Sequence, residues 1–335
     1  MLKQTLISVV IPMYNAEKTI EACLQSVIAQ QDSDDVEVIV VDDGSTDGSH
    51  KIIDEIKKNY EIKYLIQNNS GPYVARKNGI QIARGKYVVC LDSDDILTGG
   101  SLSSLRKILE EQPEVDFVWF QHDVLSNANI PADKGIASLG KTGHFVQDQI
   151  GDVRCALFRG TSNELWSKAI KKDLLLKERK IHPRKLGEDF SQLIDVVTQA
   201  KSCYVTDKIL YRYTDGAASS LSCSYSKSTV EDIRILCWQL IDAGNKCGDS
   251  CKCAATEGAI AQLFNLARIT VQNGSRIDAW LGAMGDLIDE CKKEGIPNIK
   301  SKKLKIFSLL LRTKKAPLIE WYVETIEVLK SYRKR

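Results

Sequence analysis

The stretch that most constrains the fold is Tyr87-Val88-Val89-Cys90-Leu91, which runs directly into Asp92-Ser93-Asp94-Asp95. Its apolar, partly β-branched residues suit a central parallel strand covered on both faces. Asp92, Asp94 and Asp95 then fall at the carboxyl end of that strand, where open α/β sheets collect their ligands. Like charges about 4 Å apart repel by roughly 4 kcal/mol at an effective dielectric near 20. A hard divalent cation reverses the sign of that cost. Oxygen ligands favour Mg2+ or Mn2+, held by one or two carboxylates with water and phosphate oxygens completing the shell. The competing reading of these acids is a helix N-terminus.

The rest of the amino-terminal half repeats the strand pattern. Residues 6–12 read as a first strand ended by Pro12, which has no amide to donate. Asn15 is placed to cap a helix through Ile20, Leu24, Val27 and Ile28. Residues 36–41 and 62–66 are further strands, and helices are expected over 50–59 and 74–83. Such alternation predicts a doubly wound, mostly parallel sheet with right-handed crossovers. In that sheet Asp43, after the second strand, and Asp94, after the fourth, reach the same edge. Neither G-x-G-x-x-G nor G-x-x-x-x-G-K-S/T is present, which argues against a dinucleotide fold or a P-loop. Further on, the pattern predicts a helix over 102–109, a strand over 115–120, a polar loop over 127–143 and a helix over 147–158. Gly187-Glu188-Asp189-Phe190 opens another helix, and Val205 and residues 209–213 read as separate late strands. Beyond residue 219 the period is helical, over 228–243, 254–270, 277–293, 304–311 and 317–332.

Composition narrows the class. A chain of 335 residues that is 43% hydrophobic and 27% charged is a globular protein, and a net charge of +2 gives no support to nucleic-acid binding over its whole surface. The basic excess sits at one end, with 11 Lys and Arg against 3 Glu from Lys300 to Arg335. No leader pattern and no run of membrane-span length is seen, so the ten cysteines are expected reduced and the protein cytoplasmic. Cys247, Cys251 and Cys253 lack a fourth nearby ligand, and His50, His122, His144 and His182 show no metal spacing.

Four segments, VVIPMYNAE (9–17), VVDDGSTDGS (40–49), LDSDD (91–95) and GEDF (187–190), occur together and in order. In this the chain resembles a family 2 glycosyltransferase with the GT-A fold, a doubly wound mostly parallel sheet flanked by helices, here with a helical C-terminal region. The resemblance implies a nucleotide-sugar transferase domain over residues 1–220, followed by helices over 221–335. It implies an inverting hexosyl- or N-acetylhexosaminyl-transferase acting on a nucleotide-diphosphate sugar, commonly a UDP-sugar, with Mn2+ or Mg2+. Pro12, Tyr14 and Glu17 would lie along the nucleotide, and Asp43 would accept from the base. Asp92 and Ser93 would hold the ribose side, and Asp94 with Asp92 the metal. Asp189 would be the general base and Glu188 would orient the acceptor. Arg76, in Ala-Arg-Lys-Asn-Gly, would contact the diphosphate, although Lys77 stands where the family usually has Asn; an exposed helical arginine is the other reading. Trp166, unless it is a buried core indole, and Arg212 would line the acceptor, and the segment from Tyr211 to Ser219 would reach the diphosphate.

The implied acceptor is a glycan or lipid-linked molecule in O-antigen or capsule synthesis. The basic C-terminal helices are therefore expected to rest on the inner face of the cell membrane, or else to pack as solvated helices on the core. A catalytically degenerate GT-A binding module is the alternative. A nucleotidyltransferase is disfavoured, because its Gly-rich, Lys/Arg-bearing loop is missing after the first strand.

Overall fold

The computed structural model describes residues 5–30, 35–126, 128–177, 186–214, 225–293 and 299–333. The chain forms two compact units, one of Met1–Val153, Glu164–Glu178 and Asp195–Ala218, the other of Arg154–Asn163, Arg179–Ile194 and Ser219–Arg335.

The first unit carries the sheet. Its strands are β1 (Ile7–Met13), β2 (Val36–Asp42), β3 (Ile62–Ile66), β4 (Tyr87–Cys90), β5 (Ile96–Leu97), β6 (Phe117–Val124), β7 (Gly143–Val146), β8 (Lys168–Lys171) and β9 (Ser202–Tyr213). They lie in the order β3-β2-β1-β4-β8-β6-β9-β5, with β7 on β9. From β3 to β4 every pair is parallel, as the alternation predicts. Beyond β4 the sheet is mixed, since β8 runs antiparallel to both β4 and β6. Two reversals restore direction, so β6 and β9 point the same way as β4 and end on its carboxyl edge. Helices α1 (Ile20–Ile28), α2 (Ser49–Ile56), α3 (Pro72–Ile82), α4 (Ser101–Glu111) and α5 (Lys134–Leu139) connect these strands. The fully buried β1, β2 and β4 explain why their sequences run apolar rather than alternate.

Four expectations about this unit are corrected. Pro12 does not end the first strand, which continues to Met13 with Pro12 opposite Val41. The Val10 carbonyl takes the Leu91 amide from the β4 side. Pro12, two residues on, faces that same side past the last β1–β4 pair, where a missing amide costs no ladder bond. Asn15 caps nothing: the helix starts at Ile20, and Asn15 sits at φ 49 with its side chain accepting from the Thr46 amide at 2.8 Å. The expected loop over 127–143 contains α5, whose N-cap Asp133 accepts from the Gly135 and Ile136 amides. The two late strands are one, β9, whose pairing with β6 slips between Phe120 and His122.

The second unit is helical. α6 (Ile150–Phe158), whose residues from Arg154 belong to it, and α8 (Glu188–Gln199), whose residues to Ile194 do, join α9 (Lys227–Lys246) and α10 (Asp249–Gln272); the short α7 (Lys172–Leu175) stays with the sheet unit. The expected helix over 277–293 is broken into α11 (Asp278–Leu281) and α12 (Gly285–Lys293), and α13 (Lys302–Thr313) and α14 (Ala316–Arg333) complete the unit. α10 is its axis, packed by α9, α12, α13 and α14. A Cβ on Gly258 of α10 would lie 1.9 Å from the Phe158 carbonyl oxygen, so only glycine permits that approach.

Behind the edge that carries the carboxylates, Glu37 of β2 is buried and accepts from the Ser8 hydroxyl at 2.6 Å, from the Arg84 and Gly85 amides and from Lys63 Nζ at 2.7 Å. Burial alone would raise its pKa, but Lys63, Ser8 and the Arg84 amide outweigh that and hold it at about 2. A carboxylate depressed on folding contributes stability that is full above its unfolded pKa and is lost as pH falls through its folded one. Glu37→Gln is therefore expected to lower stability by on the order of 2–3 kcal/mol at pH 7. Urea unfolding at successive pH values should show the gap to wild type closing between pH 5 and pH 2; a constant gap would contradict the assignment.

Candidate active site

Three loops at the carboxyl edge of the sheet carry the motif residues, and each is fixed by its own side chains. After β2, Asp43 is buried and accepts from Gln67 Nε2 at 2.8 Å and from the Ser70 and Gly71 amides at 2.7 and 2.8 Å. It thereby holds the turn that starts α3, where Gly71 adopts φ 89 and Pro72 opens the helix. A carboxylate has about four acceptor positions, so one remains for a ligand. Its neighbour Asp42 is committed to the Tyr64 hydroxyl at 2.6 Å and the Ser45 amide at 2.8 Å.

The loop after β1 is stitched to the loop after β2. Glu17 accepts from the Gly48 amide at 2.7 Å, its own amide donates to Asp47 at 3.1 Å, and the Ala16 amide donates to the Ser49 hydroxyl at 2.8 Å. Glu17 thus shapes the loop, while Tyr14 is left 49% exposed on the same edge.

After β4 the three carboxylates occupy three different environments. Asp95 is 1% exposed, accepts from the Tyr211 hydroxyl at 2.5 Å and from the Thr214 amide at 2.7 Å, and points into the protein. Burial, and then the charges of Asp92 and Asp94, push it up to about 7 against those two hydrogen bonds. Asp92 is half-buried, and its Oδ1 accepts from Arg76 Nη2 at 2.9 Å. Arg76 itself is buried, which sets aside the reading of an exposed helical arginine and puts its guanidinium at the strand end. Asp94 is half-buried beside Ser93, and no guanidinium or hydroxyl of the described residues is bonded to it. Burial, then Asp92, raise its pKa. A dehydrated carboxylate beside a second one fits a one- or two-carboxylate site for a hard cation.

Tyr211 opens the segment expected to reach the diphosphate, and its tie to the carboxylate turn was not foreseen. Its hydroxyl donates to Asp95 and accepts from the Asp92 amide at 3.3 Å, so it fixes both ends of the carboxylate turn. The period-two spacing of Tyr211 and Tyr213 was the available signal, because it puts both on one face of β9. Trp166 stacks on them, 4.3 Å from the Tyr211 ring centroid and 6.0 Å from that of Tyr213, with His122 edge-on at 4.7 Å. Arg212, on the opposite face, is held by Asp123 through Nε at 2.9 Å and Nη2 at 2.8 Å. Residues 215–219, the rest of the expected diphosphate segment, lie outside the described residues.

Among the described residues one group brings three metal-capable side chains within 4.8 Å of one another, and it is His122, Asp133 and Glu164. Asp133 is already spent on Trp119 Nε1 at 2.7 Å and on the α5 amides. Lys168, with its ammonium on the Glu164 carbonyl at 2.7 Å, supplies a buried cation nearby. His122 Nδ1 is buried there with no hydrogen-bond partner among the described residues. The cysteine group at residues 247–253 forms no such cluster; Cys251 faces Cys155 at 3.7 Å instead.

Glu188 and Asp189 open α8 in the second unit, directly after Gly187 at φ 83. A Cβ on Gly187 would meet Leu236 at 2.8 Å, so packing and backbone both require glycine before the pair. Both acids are half-buried and sit in the first helical turn.

Comparison with known proteins follows this geometry. Residues 8–166 match the model of glycosyl transferase family 2. A poly(ribitol-phosphate) beta-glucosyltransferase of Bacillus spizizenii is 44% identical over 104 residues, which are 30% of this chain and 16% of that protein. The glycosyltransferase GlyG of Streptococcus pneumoniae is 38% identical over 109 residues, 32% of this chain and 36% of that protein. The matched part is thus about a sixth to a third of these relatives' length. Among solved structures, S. aureus TarS 1-349 in complex with UDP-GlcNAc superposes with a TM-score of 0.75 over 96% of this chain and 91% of that one, at 21% identity. The mannosyltransferase PcManGT of Pyrobaculum calidifontis, in complex with GDP-Man and Mn2+, gives 0.52 over 98% and 88%, at 16% identity. At these identities the structural likeness is one of fold, and it agrees with the GT-A architecture expected. The ordered motifs and the matched model together identify residues 8–166 as a glycosyl transferase family 2 domain.

Proposed function

We propose that the chain is an inverting glycosyltransferase that moves a sugar from a nucleotide-diphosphate sugar, a UDP-sugar first of all, to a hydroxyl of a glycan or lipid-linked acceptor in cell-surface polysaccharide synthesis such as that of O-antigen or capsule. The observation that carries this reading is the unequal treatment of the carboxylates after β4. Asp95 is spent inside and Asp92 is held by Arg76, which leaves Asp94 for a ligand. The UDP-GlcNAc complex of TarS and the relatives' names support a sugar-nucleotide donor.

Asp94, with Asp92, would hold Mn2+ or Mg2+, which when bound neutralises charge growing on the departing nucleoside diphosphate. The remaining acceptor position of Asp43 suits a base N–H, and the exposed Tyr14 ring offers a flat surface beside it, with Pro12, Glu17 and Ser93 shaping the groove. Arg76, steadied by Asp92, brings a fixed positive charge to the diphosphate side. Asp189 would take the proton of the acceptor hydroxyl as that oxygen bonds to the anomeric carbon and the bond to the diphosphate breaks, and Glu188 would orient the acceptor. A single displacement inverts the anomeric centre through an oxocarbenium-like transition state.

The C-terminal helices support placement at a membrane surface. Ile306, Leu309, Leu318 and Trp321 are exposed on α13 and α14 alongside Lys302 and Arg312, a pairing of apolar and basic groups that suits anionic headgroups. No helix among the described residues is long and apolar enough to cross a membrane.

Two experiments test these assignments. Asp94→Asn is expected to weaken Mn2+-dependent UDP binding at least tenfold by calorimetry. Asp189→Asn should keep UDP binding and slow sugar release or transfer by about 10²–10⁴-fold. Sugar nucleotides that bind the wild type without turnover in any acceptor panel would favour a degenerate binding module instead. For the membrane, the protein should co-sediment with phosphatidylglycerol vesicles and not with phosphatidylcholine ones, and Leu318→Ser with Trp321→Ser should abolish it; equal recovery in both supernatants would remove the membrane assignment.

A further inference from the structure

We infer that Gln192 is a positioning residue for Asp189: its side-chain amide, buried and unpaired in the fold, donates to the Asp189 carboxylate when that acid takes a proton from a hydroxyl or a water. The inference rests on the reading of Asp189 as general base and adds the group that would hold the base in place. Gln192 lies on α8, three residues after Asp189 and four after Glu188. It is 3% exposed, and neither Oε1 nor Nε2 has a hydrogen-bond partner among the described residues. A buried polar atom left unpaired destabilises a fold, so such atoms are ordinarily satisfied. This chain satisfies them elsewhere. Two other glutamines are buried among the described residues, and each is paired at both ends. Gln121 donates to the Asp133 carbonyl at 3.3 Å and accepts from the Asp133 amide at 2.9 Å. Gln239 accepts from the Ser191 hydroxyl at 2.6 Å and donates to the Ser191 carbonyl at 2.9 Å. Gln192 breaks that pattern on the helix that carries the acids.

Helix geometry shows what the amide can reach. At about 100° per residue, Gln192 falls between Glu188 and Asp189 on the surface of α8, about 40° from the first and 60° from the second. Gly187 and Ser191, which meet Leu236 and Gln239 of α9, lie about 100° or more round the helix. The stripe that packs on α9 is therefore not the stripe that holds the acids and Gln192. Side chains on a helix lean towards its N-terminus, which carries the Gln192 amide back over the turn that holds both acids. A Gln and an Asp one turn apart are within hydrogen-bonding reach. The acids are half-buried while the amide is sealed behind them. A donor in that place fixes the rotation of the carboxylate, and a base must be aimed to within a few tenths of an ångström, on the order of 0.5 Å, to act well.

The test is hydrolysis of a panel of UDP- and GDP-sugars in Mn2+, with water in place of the acceptor hydroxyl, alongside thermal unfolding without nucleotide or metal. Gln192→Met nearly keeps the volume and removes both polar atoms. No hydrogen bond among the described residues is lost with it, so this variant should unfold at or above the wild-type temperature. Gln239→Met, which loses both bonds to Ser191, should unfold below it. Hydrolysis by Gln192→Met should slow at least tenfold with the donor KM within twofold. The acid side of its pH–rate profile should also move to higher pH, because a hydrogen bond that favours the charged carboxylate is gone. An unchanged rate with an unmoved profile would overturn the inference, and a lowered unfolding temperature beside them would make the amide a structural one. Equal rates in wild type and Asp189→Asn would instead sink the base assignment, and no wild-type hydrolysis of any sugar nucleotide would sink the transferase reading. The inference falls with either, and which protein fails tells the three cases apart.

Discussion

Repulsion between like charges at the end of one buried strand is the constraint on which the rest depends. Asp92, Asp94 and Asp95 fall within four residues, and a protein cannot leave three such groups equivalent in a partly dry setting. Here the conflict is resolved by assigning each carboxylate a different environment. The Tyr211 hydroxyl and the Thr214 amide take Asp95 inward, and Arg76 takes Asp92. The donors come from β9 and α3, so the carboxylate turn requires the late strand and an early helix to be in place. β5 adds a clamp: Ile96 and Leu97, directly after the acids, pair with Arg212 and Tyr211. The two residues after the carboxylates and the tyrosine that fixes them are thus neighbours in one ladder.

Several motif side chains are at once binding candidates and structural parts. Asp43 accepts three internal hydrogen bonds, and Glu17 ties the loop after β1 to the loop after β2. Removing either frees backbone amides that are part of the edge. A loss of nucleotide affinity after such a substitution therefore reports the loop as much as the contact, since an unsatisfied buried donor costs about 1–3 kcal/mol by itself. Asp94 has no such structural duty among the described residues, which makes it the cleaner probe of the strand-end chemistry.

What was legible in the sequence follows from the same physics. β1, β2 and β4 are buried on both faces, so they read as continuous apolar runs, and their carboxyl ends are marked by acids and glycines. The second half of the sheet was less legible because its strands are recruited over long separations: β8 lies between β4 and β6, far from either in sequence. The bulge opposite Phe120 to His122 breaks the alternation in β9, which made one strand look like two. Pro12 misled because the rule against proline in a sheet is a statement about a ladder bond, and past the end of β4 no such bond is required. α5 was hidden in a polar stretch because its signal is a cap, Asp133, and its length is only six residues. The role of Tyr211 is a contact across more than a hundred residues, which no local pattern encodes.

The acids expected to act on the acceptor belong to a different unit from those expected to act on the donor. Asp92 and Asp94 lie in the sheet unit, while Glu188 and Asp189 open α8 in the helical unit. α8 itself is shared, its residues to Ile194 assigned to one unit and those from Asp195 to the other. Each pair is set by a different local device, a strand end in one case and a glycine-led helix start in the other. The groups proposed for donor binding and those proposed for proton removal therefore rest on separate structural supports. The donors that hold Asp92 and Asp95, namely Arg76, Tyr211 and the Thr214 amide, all belong to the sheet unit.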